Sequence, residues 1–114
     1  MSNRNYIRTE RAPKAIGAYS QAVRCGQTVW ISGQIPLDPV SMEVIGNSDS
    51  DEGVRSQIEQ VFANLNCICE DSGGSLREIV KLNIFLTDIS HFHLVNEVME
   101  TVFENPYPAR AAIG

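Results

Sequence analysis

The sequence lacks the features that identify several large classes of protein. No apolar run approaches the ~20 residues that a membrane-spanning helix needs. The first residues, Met-Ser-Asn-Arg-Asn-Tyr, contain no apolar core of a signal peptide. Only nine basic residues, scattered along the chain, stand against 14 acidic ones, and the resulting charge of -5 disfavours broad binding to nucleic acid. We therefore expect a soluble cytoplasmic protein that binds neither membrane nor nucleic acid.

Cysteine and histidine are also sparse. The three cysteines form no disulfide framework, which fits the reducing cytosol. Cys67 and Cys69 lie two residues apart in a segment with helical periodicity, so their side chains point to different faces and cannot bind one metal together. His91 and His93 have the same spacing, without a Cys or His neighbour at ligand spacing, which favours a solvated or capping role. No metal site is predicted.

The chain does contain enough apolar residues for one core. With 43% hydrophobic residues among 114, it is expected to form a single domain, residues 1–114. Two strands are predicted at 18–24 and 28–32, joined by a hairpin turn that contains Gly26. Two further extended segments are predicted at 79–87 and 109–113. In the first of these, one face is expected to carry Val80, Leu82, Ile84 and Leu86.

Two amphipathic helices are predicted between these strands. Apolar residues recur at steps of three and four over 54–71, which indicates the longer helix. Residues 75–78 have the capping-box spacing of a short helical turn. The second helix is expected at 91–104, with Asp88 and Ser90 as candidate caps.

This order of elements predicts an α+β sandwich with both helices on one face of the sheet. The opposite face would carry Trp30 and Phe85 among polar residues. A face of that composition is too apolar to remain solvated and too polar for an ordinary core. Such faces commonly become subunit interfaces, so a symmetric homo-oligomer is predicted.

The common catalytic motifs are missing, including a glycine-rich phosphate loop and a nucleophile elbow. What remains are polar residues at the ends of predicted elements: Tyr19, Ser32, Asn96 and Arg110. The first three have ordinary alternative roles in strand packing, in a turn and on a solvated helix surface. Arg110 is a permanent cation among small apolar residues, and its planar guanidinium matches a carboxylate or phosphate. It either binds an anionic ligand or forms a structural salt bridge.

Five ordered segments carry a family pattern. They read Ala-Pro-Lys-Ala-Ile-Gly-Ala-Tyr-Ser-Gln at 12–21, Trp-Ile-Ser-Gly-Gln-Ile-Pro at 30–36, Val-Lys-Leu-Asn-Ile-Phe-Leu-Thr-Asp at 80–88, Phe92 through Asn96-Glu97, and Tyr-Pro-Ala-Arg at 107–110. In order and spacing they resemble the RidA (YjgF) family over nearly the whole chain. The resemblance implies a chorismate-mutase-like fold with a mixed β-sheet, assembled as a homotrimer with clefts between neighbouring subunits.

The resemblance also implies an activity that uses no metal or organic cofactor. Reactive enamines and imines, such as 2-aminoacrylate and 2-iminobutanoate, would be hydrolysed to 2-keto acids and ammonia. In that interpretation Arg110 binds the substrate carboxylate, and Tyr19 and Ser32 line the cleft with hydroxyl groups. Gly33 allows close approach of the backbone, and Asn96 shapes the site from the second helix. An imine carbon is already electrophilic, so water attack requires only positioning and proton transfer.

The sequence departs from the family pattern in two places. Ala112 stands where many relatives have a cysteine, and we still expect Ala112 to contact the substrate. The family continues into a final strand with a glutamate that positions the water, and that strand would lie beyond Gly114. We expect either a truncated form of a longer protein or a shortened family member, with a weakened sheet edge and impaired deamination.

Two other functions remain open. Some family members are described as ribonucleases or translation inhibitors, but the acidic charge and the lack of basic and aromatic clustering disfavour RNA. A relative that lacks part of the site could also be a non-catalytic module that binds small carboxylates. The predicted partners are therefore a small carboxylate ligand and further copies of this chain.

Overall fold

The computed structural model describes residues 4–114, which contain five strands and two α-helices. The strands are β1 (Arg4–Ile7), β2 (Ala22–Cys25), β3 (Thr28–Ile31), β4 (Lys81–Phe85) and β5 (Ala109–Ile113), and the helices are α1 (Asp51–Asp71) and α2 (Phe92–Val102). Short 3₁₀ turns at Leu76–Glu78 and Ile89–His91 precede β4 and α2. None of the helices within 4–114 is long and apolar enough to cross a membrane.

The predicted α+β fold with parallel and antiparallel strand pairing is confirmed, but the two kinds of pairing lie in separate sheets. β1, β2 and β3 form an antiparallel sheet in that order. β4 and β5 form a parallel pair. Parallel strands need a long crossover, and α2 supplies it here. β1 is not among the predicted strands, because four residues carry too little alternation to be distinguished from an extended terminus.

The ends of α1 show how capping sets a helix boundary. α1 begins at Asp51, three residues before the predicted start, because the Ser50 side chain accepts a hydrogen bond of 3.0 Å from the Gly53 N–H. Asp51 and Glu52 then place negative charge at the positive end of the helix dipole. The predicted end at Asp71 is confirmed.

Two hydrophobic clusters form the core, and α1 takes part in both. The first contains Phe62, Leu82, Val95, Val98, Met99 and Phe103. The second lies under the antiparallel sheet and contains Ala12, Ala22 and Ile68, with Ile7, Val29, Ile31 and Cys67 packed against it. Phe62 and Ile68 both belong to α1, so this helix packs against both sheets. The strand predicted at 79–87 is shorter in the structure, and Val80 is exposed and precedes β4.

The sheet faces turned away from the helices keep large apolar side chains in solvent. Tyr6, Trp30 and Phe85 are 62%, 69% and 74% exposed in the single chain. Tyr6 and Trp30 both lie opposite Val23, and Phe85 lies opposite Ile113, which is also exposed. We call these five residues the outer face.

A buried amide on α1 fixes the loop that follows β3. Asn64 is 1% exposed, and its side-chain NH₂ donates hydrogen bonds to the backbone carbonyls of Leu37 at 3.0 Å and Ile35 at 3.5 Å. Its Oδ1 accepts a bond of 2.9 Å from the Gln60 amide. The donor and the acceptor of this buried amide thus both have hydrogen-bond partners, and these bonds fix the loop to α1.

A second buried amide fixes the segment that follows β1. Gln21 is 4% exposed, and its Oε1 accepts a hydrogen bond of 2.7 Å from the Thr9 N–H. Its NH₂ group donates to the carbonyls of Thr9 at 3.1 Å and Pro13 at 2.8 Å. The segment that leads to Tyr19 is therefore held to the start of β2.

Replacing Asn64 with alanine should lower the free energy of unfolding by about 2–4 kcal/mol, because it leaves the buried Leu37 carbonyl without its hydrogen bond and opens a cavity. Urea denaturation measures the loss. Asn66→Ala is the matched control on the same helix. The Asn66 side chain is partly exposed and makes no hydrogen bond to any of residues 4–114, so a change within about 0.5 kcal/mol is expected. Equal losses in the two variants would contradict the role given to Asn64.

Candidate functional site

The register of the parallel strands decides where Arg110 points. Arg110 of β5 lies opposite Leu82 of β4, and paired residues share one face of a sheet. Leu82 is buried against the helices, so Arg110 faces α2. Ala111 lies opposite the exposed Asn83 and faces the other way. The fold thus directs a cation toward a helix.

The Arg110 guanidinium contacts an aromatic ring and a thioether. Its central carbon lies 4.7 Å from the centroid of the Phe92 ring, within cation–π distance. Its Nη1 lies 3.2 Å from the Met99 sulfur, which is a weak acceptor. Among residues 4–114 no carboxylate lies within the 4.0 Å of an ion pair with Arg110. A structural salt bridge therefore has no partner in this part of the chain.

A cavity of about 210 Å³ opens beside this guanidinium. It is lined by Asn96, Met99, Glu100, Tyr107, Pro108 and Arg110. α2 contributes the first three, and the segment before β5 contributes Tyr107 and Pro108. Asn96 and Glu100 lie one helical turn apart and share a face of α2. The cavity therefore combines a cation, a carboxylate, an amide and a phenol.

Two other predicted site residues lie near Arg110. Asn96 lines the same cavity from α2. Ala112 lies opposite Ile84, is partly buried, and shares the face of β5 that carries Arg110. Within one chain, the predicted site residues of α2 and β5, which are Asn96, Arg110 and Ala112, therefore lie together.

Tyr19, Ser32 and Gly33 lie elsewhere, beside the antiparallel sheet, and none of them lines the Arg110 cavity. Tyr19 falls in a bend before β2, so its predicted place in a strand is wrong, and its hydroxyl accepts a 3.3 Å bond from the Ile16 N–H. The Ser32 hydroxyl donates to the Ser20 carbonyl at 2.6 Å. Gly33 is exposed, and a Cβ there would meet no atom within 4 Å. A second molecule could therefore approach its backbone.

Sequence reasoning missed Phe92, Met99, Glu100 and Tyr107 as neighbours of Arg110. A signal exists for two of them, because Phe92 and Glu100 lie four residues before and after Asn96 on one face of the helix. Met99 is buried in the core, and its sulfur also contacts the guanidinium. Tyr107 lies next to the predicted arginine segment without a pattern that marks it.

Two groups outside the cavity, Cys69 and Asp88, have shifted pKa values that bear on the fold. Burial raises the pKa of the Cys69 thiol, so it stays neutral at pH 7. Hydrogen bonds from the side chain and backbone of Ser90 lower the pKa of Asp88, which keeps this cap before α2 ionised. Among residues 4–114 no three His, Cys, Asp or Glu side chains are grouped so that they could hold a metal ion.

Fold and site together define a small α+β protein with an arginine-bearing cavity between a parallel strand pair and its crossover helix. The family model described as Endoribonuclease L-PSP matches residues 9–114. The 2-iminobutanoate/2-iminopropanoate deaminase of Dermatophagoides farinae is 38% identical over 100% of this chain and 85% of its own length. The chain therefore belongs to the RidA (endoribonuclease L-PSP) family.

Solved structures of relatives agree with this assignment. The crystal structure of RidA from the Antarctic bacterium Psychrobacter sp. PAMC 21119 is 49% identical, with a TM-score of 0.86 over 96% of this chain and 84% of that one. Escherichia coli TdcF, crystallised with bound serine, is 33% identical, with a TM-score of 0.83 over 96% of this chain and 84% of that one.

Replacing Phe92 with leucine should weaken the binding of a small carboxylate about two- to fivefold, because the guanidinium loses the ring that positions it. Calorimetric titration with pyruvate measures the affinity. Phe92→Tyr keeps a ring in place and should bind within about twofold of the wild type. Equal affinities for the leucine variant and the wild type would show that the ring does not position Arg110.

Proposed function

We propose that the protein hydrolyses 2-imino and 2-enamino acids, such as 2-iminobutanoate and 2-aminoacrylate, to 2-keto acids and ammonia. The observation that carries the proposal is the half-buried Arg110 guanidinium, which faces a cavity of about 210 Å³ without an ion-pair partner among residues 4–114. The name of the Dermatophagoides farinae relative, 2-iminobutanoate/2-iminopropanoate deaminase, supports the reaction. The serine bound to TdcF supports a small ligand with a carboxylate.

Arg110 supplies the fixed point of the proposed reaction. Its paired N–H groups hold the substrate carboxylate, which is bonded directly to the imine carbon, so the reacting atom is positioned as well. The oxygen of a water molecule bonds to that carbon while the imine nitrogen takes up a proton. The C–N bond of the resulting carbinolamine then breaks, the nitrogen leaves as ammonia, and a carbonyl group forms. Water is the only other reactant.

The proposal includes a homotrimer in which neighbouring subunits complete the site. Tyr19, Ser32 and Gly33 lie apart from the Arg110 cavity within one chain, and the Gly33 backbone is open to approach. The exposed aromatic residues of the outer face would be covered by such an assembly. Cytoplasmic placement and the absence of a cofactor are parts of the same proposal.

A ribonuclease and a non-catalytic binding module are the two alternative functions, and each differs from a deaminase in measurable ways. The family model is described as an endoribonuclease, but a chain of charge -5 is poorly suited to displace counterions from RNA. A non-catalytic module would bind 2-keto acids saturably without turnover. The rate at which 2-ketobutyrate forms from 2-iminobutanoate separates both functions from a deaminase.

Replacing Arg110 with methionine should abolish deamination. Threonine dehydratase generates 2-iminobutanoate in the assay, and the rate at which 2-ketobutyrate appears is measured. The wild type should accelerate that rate, and Arg110→Met should lower the acceleration at least about 100-fold, because a paired, charged hydrogen bond to the carboxylate is lost.

Arg55→Met is the control for this assay. Arg55 is ion-paired to Glu97 at 2.6 Å, outside the Arg110 cavity, and the variant should retain activity. A wild type that binds 2-ketobutyrate but does not accelerate its formation would identify a binding module. RNA cleavage with steep salt dependence, unaffected in Arg110→Met, would favour the ribonuclease.

Replacing Trp30 with glutamate should disrupt the proposed trimer, because it places a charge in a buried apolar interface. Light scattering after gel filtration should give three times the 12.6 kDa chain mass for the wild type and a smaller mass for the variant. Val40→Glu changes a residue that is 92% exposed in a loop and should leave the mass unchanged. A monomeric wild type, or a trimeric Trp30→Glu, would contradict this part of the proposal.

A further inference from the structure

Glu100 is the acidic residue of the Arg110 cavity. It lies on α2 one turn after Asn96, and both line the cavity from the same helix face. Its side chain is exposed, so solvent or a ligand can reach it. Sequence reasoning gave it no role.

The other glutamates near Glu100 are occupied by basic residues. Glu97 pairs with Arg55 at 2.6 Å, and Glu104 pairs with Arg77 at 3.3 Å. Within the part of the chain that the structure describes, Glu100 has no such partner. Its charge is therefore available to a ligand in the cavity.

Glu100 and Arg110 line one cavity and do not form an ion pair, so neither charge is neutralised by the other. A protonated 2-imino acid carries a carboxylate and a cationic nitrogen on adjacent carbon atoms. A 2-keto acid of the same skeleton carries only the carboxylate. The cavity is thus charged in the pattern of the first molecule and not of the second.

We propose that Glu100 binds the cationic nitrogen of the ligand while Arg110 binds its carboxylate, so that the cavity selects small zwitterionic imino and amino acids over 2-keto acids. This inference rests on the proposed function and names the residue that recognises the nitrogen. A nearby carboxylate also favours the protonated form of an imine, which is the more electrophilic form. Loss of the nitrogen on hydrolysis removes this contact, which helps the keto acid to leave.

The test compares two stable ligands with the same carbon skeleton, 2-aminobutyrate and 2-ketobutyrate. Dissociation constants are measured by calorimetry at pH 7 for the wild type, Glu100→Gln and Glu97→Gln. Glu100→Gln should weaken 2-aminobutyrate about fivefold and leave 2-ketobutyrate unchanged or tighter, because one charge pair is lost and one repulsion is removed. Glu97→Gln changes a glutamate on the same helix that does not line this cavity, and it should alter neither constant more than about twofold.

The ratio of the two constants separates recognition from a structural effect, because a damaged cavity would weaken both ligands alike. An unchanged ratio in Glu100→Gln would overturn the inference, whether both constants shift together or neither shifts. If deamination still depends on Arg110 in that case, the proposed function stands and only the role of Glu100 falls. A wild type that binds neither ligand would overturn the inference as well. If deamination does not depend on Arg110, the proposed function itself is wrong.

Discussion

The pairing of β4 with β5 is the constraint on which the candidate site depends. Because Arg110 lies opposite Leu82, the cation shares the face of a buried residue and points at α2. A slip of one residue would turn Arg110 to the outer face, since side chains alternate between the faces of a strand. The crossover that makes parallel pairing possible is α2 itself, and α2 also supplies Phe92 and Met99 beneath the guanidinium. The connection that the topology requires is therefore one wall of the cavity.

α1 positions the two sheets relative to each other. No strand pairing joins the antiparallel sheet to the β4–β5 pair within residues 4–114, so their relative position depends on packing against this helix. Phe62 belongs to the cluster at β4 and Ile68 to the cluster under the antiparallel sheet. Asn64 lies between them in the helix and ties down the loop after Ser32 by its hydrogen bonds to backbone carbonyls. The hydroxyl-bearing segments and the Arg110 cavity are thus placed by the same helix.

The sequence predicts local features of this fold better than pairings between distant segments. The apolar stripe of α1 and the extended segment 109–113 are confirmed, because periodicity and flanking prolines are read within a few residues. The strand predicted at 18–24 begins only at Ala22, β1 was not predicted, and the strands divide into two sheets, because these features depend on partners far along the chain. Arg110 and Asn96 could be chosen from sequence by their chemistry and the family pattern. Glu100 could not, because it becomes notable only when the parallel register brings Arg110 against its face of α2.

The contacts of Arg110 also explain why its guanidinium is suited to bind an anionic ligand. A carboxylate from the chain would neutralise the guanidinium, and an incoming ligand would have to displace it at a cost. A ring face and a thioether hold the group in place, and most of its five N–H donors have no hydrogen-bond partner among residues 4–114. A cation fixed in this way loses little freedom when an anion arrives, and its field is already oriented toward the cavity. Glu100 lines the same cavity without forming an ion pair with Arg110. Both charges therefore stay available to a ligand that carries a carboxylate and a cationic nitrogen.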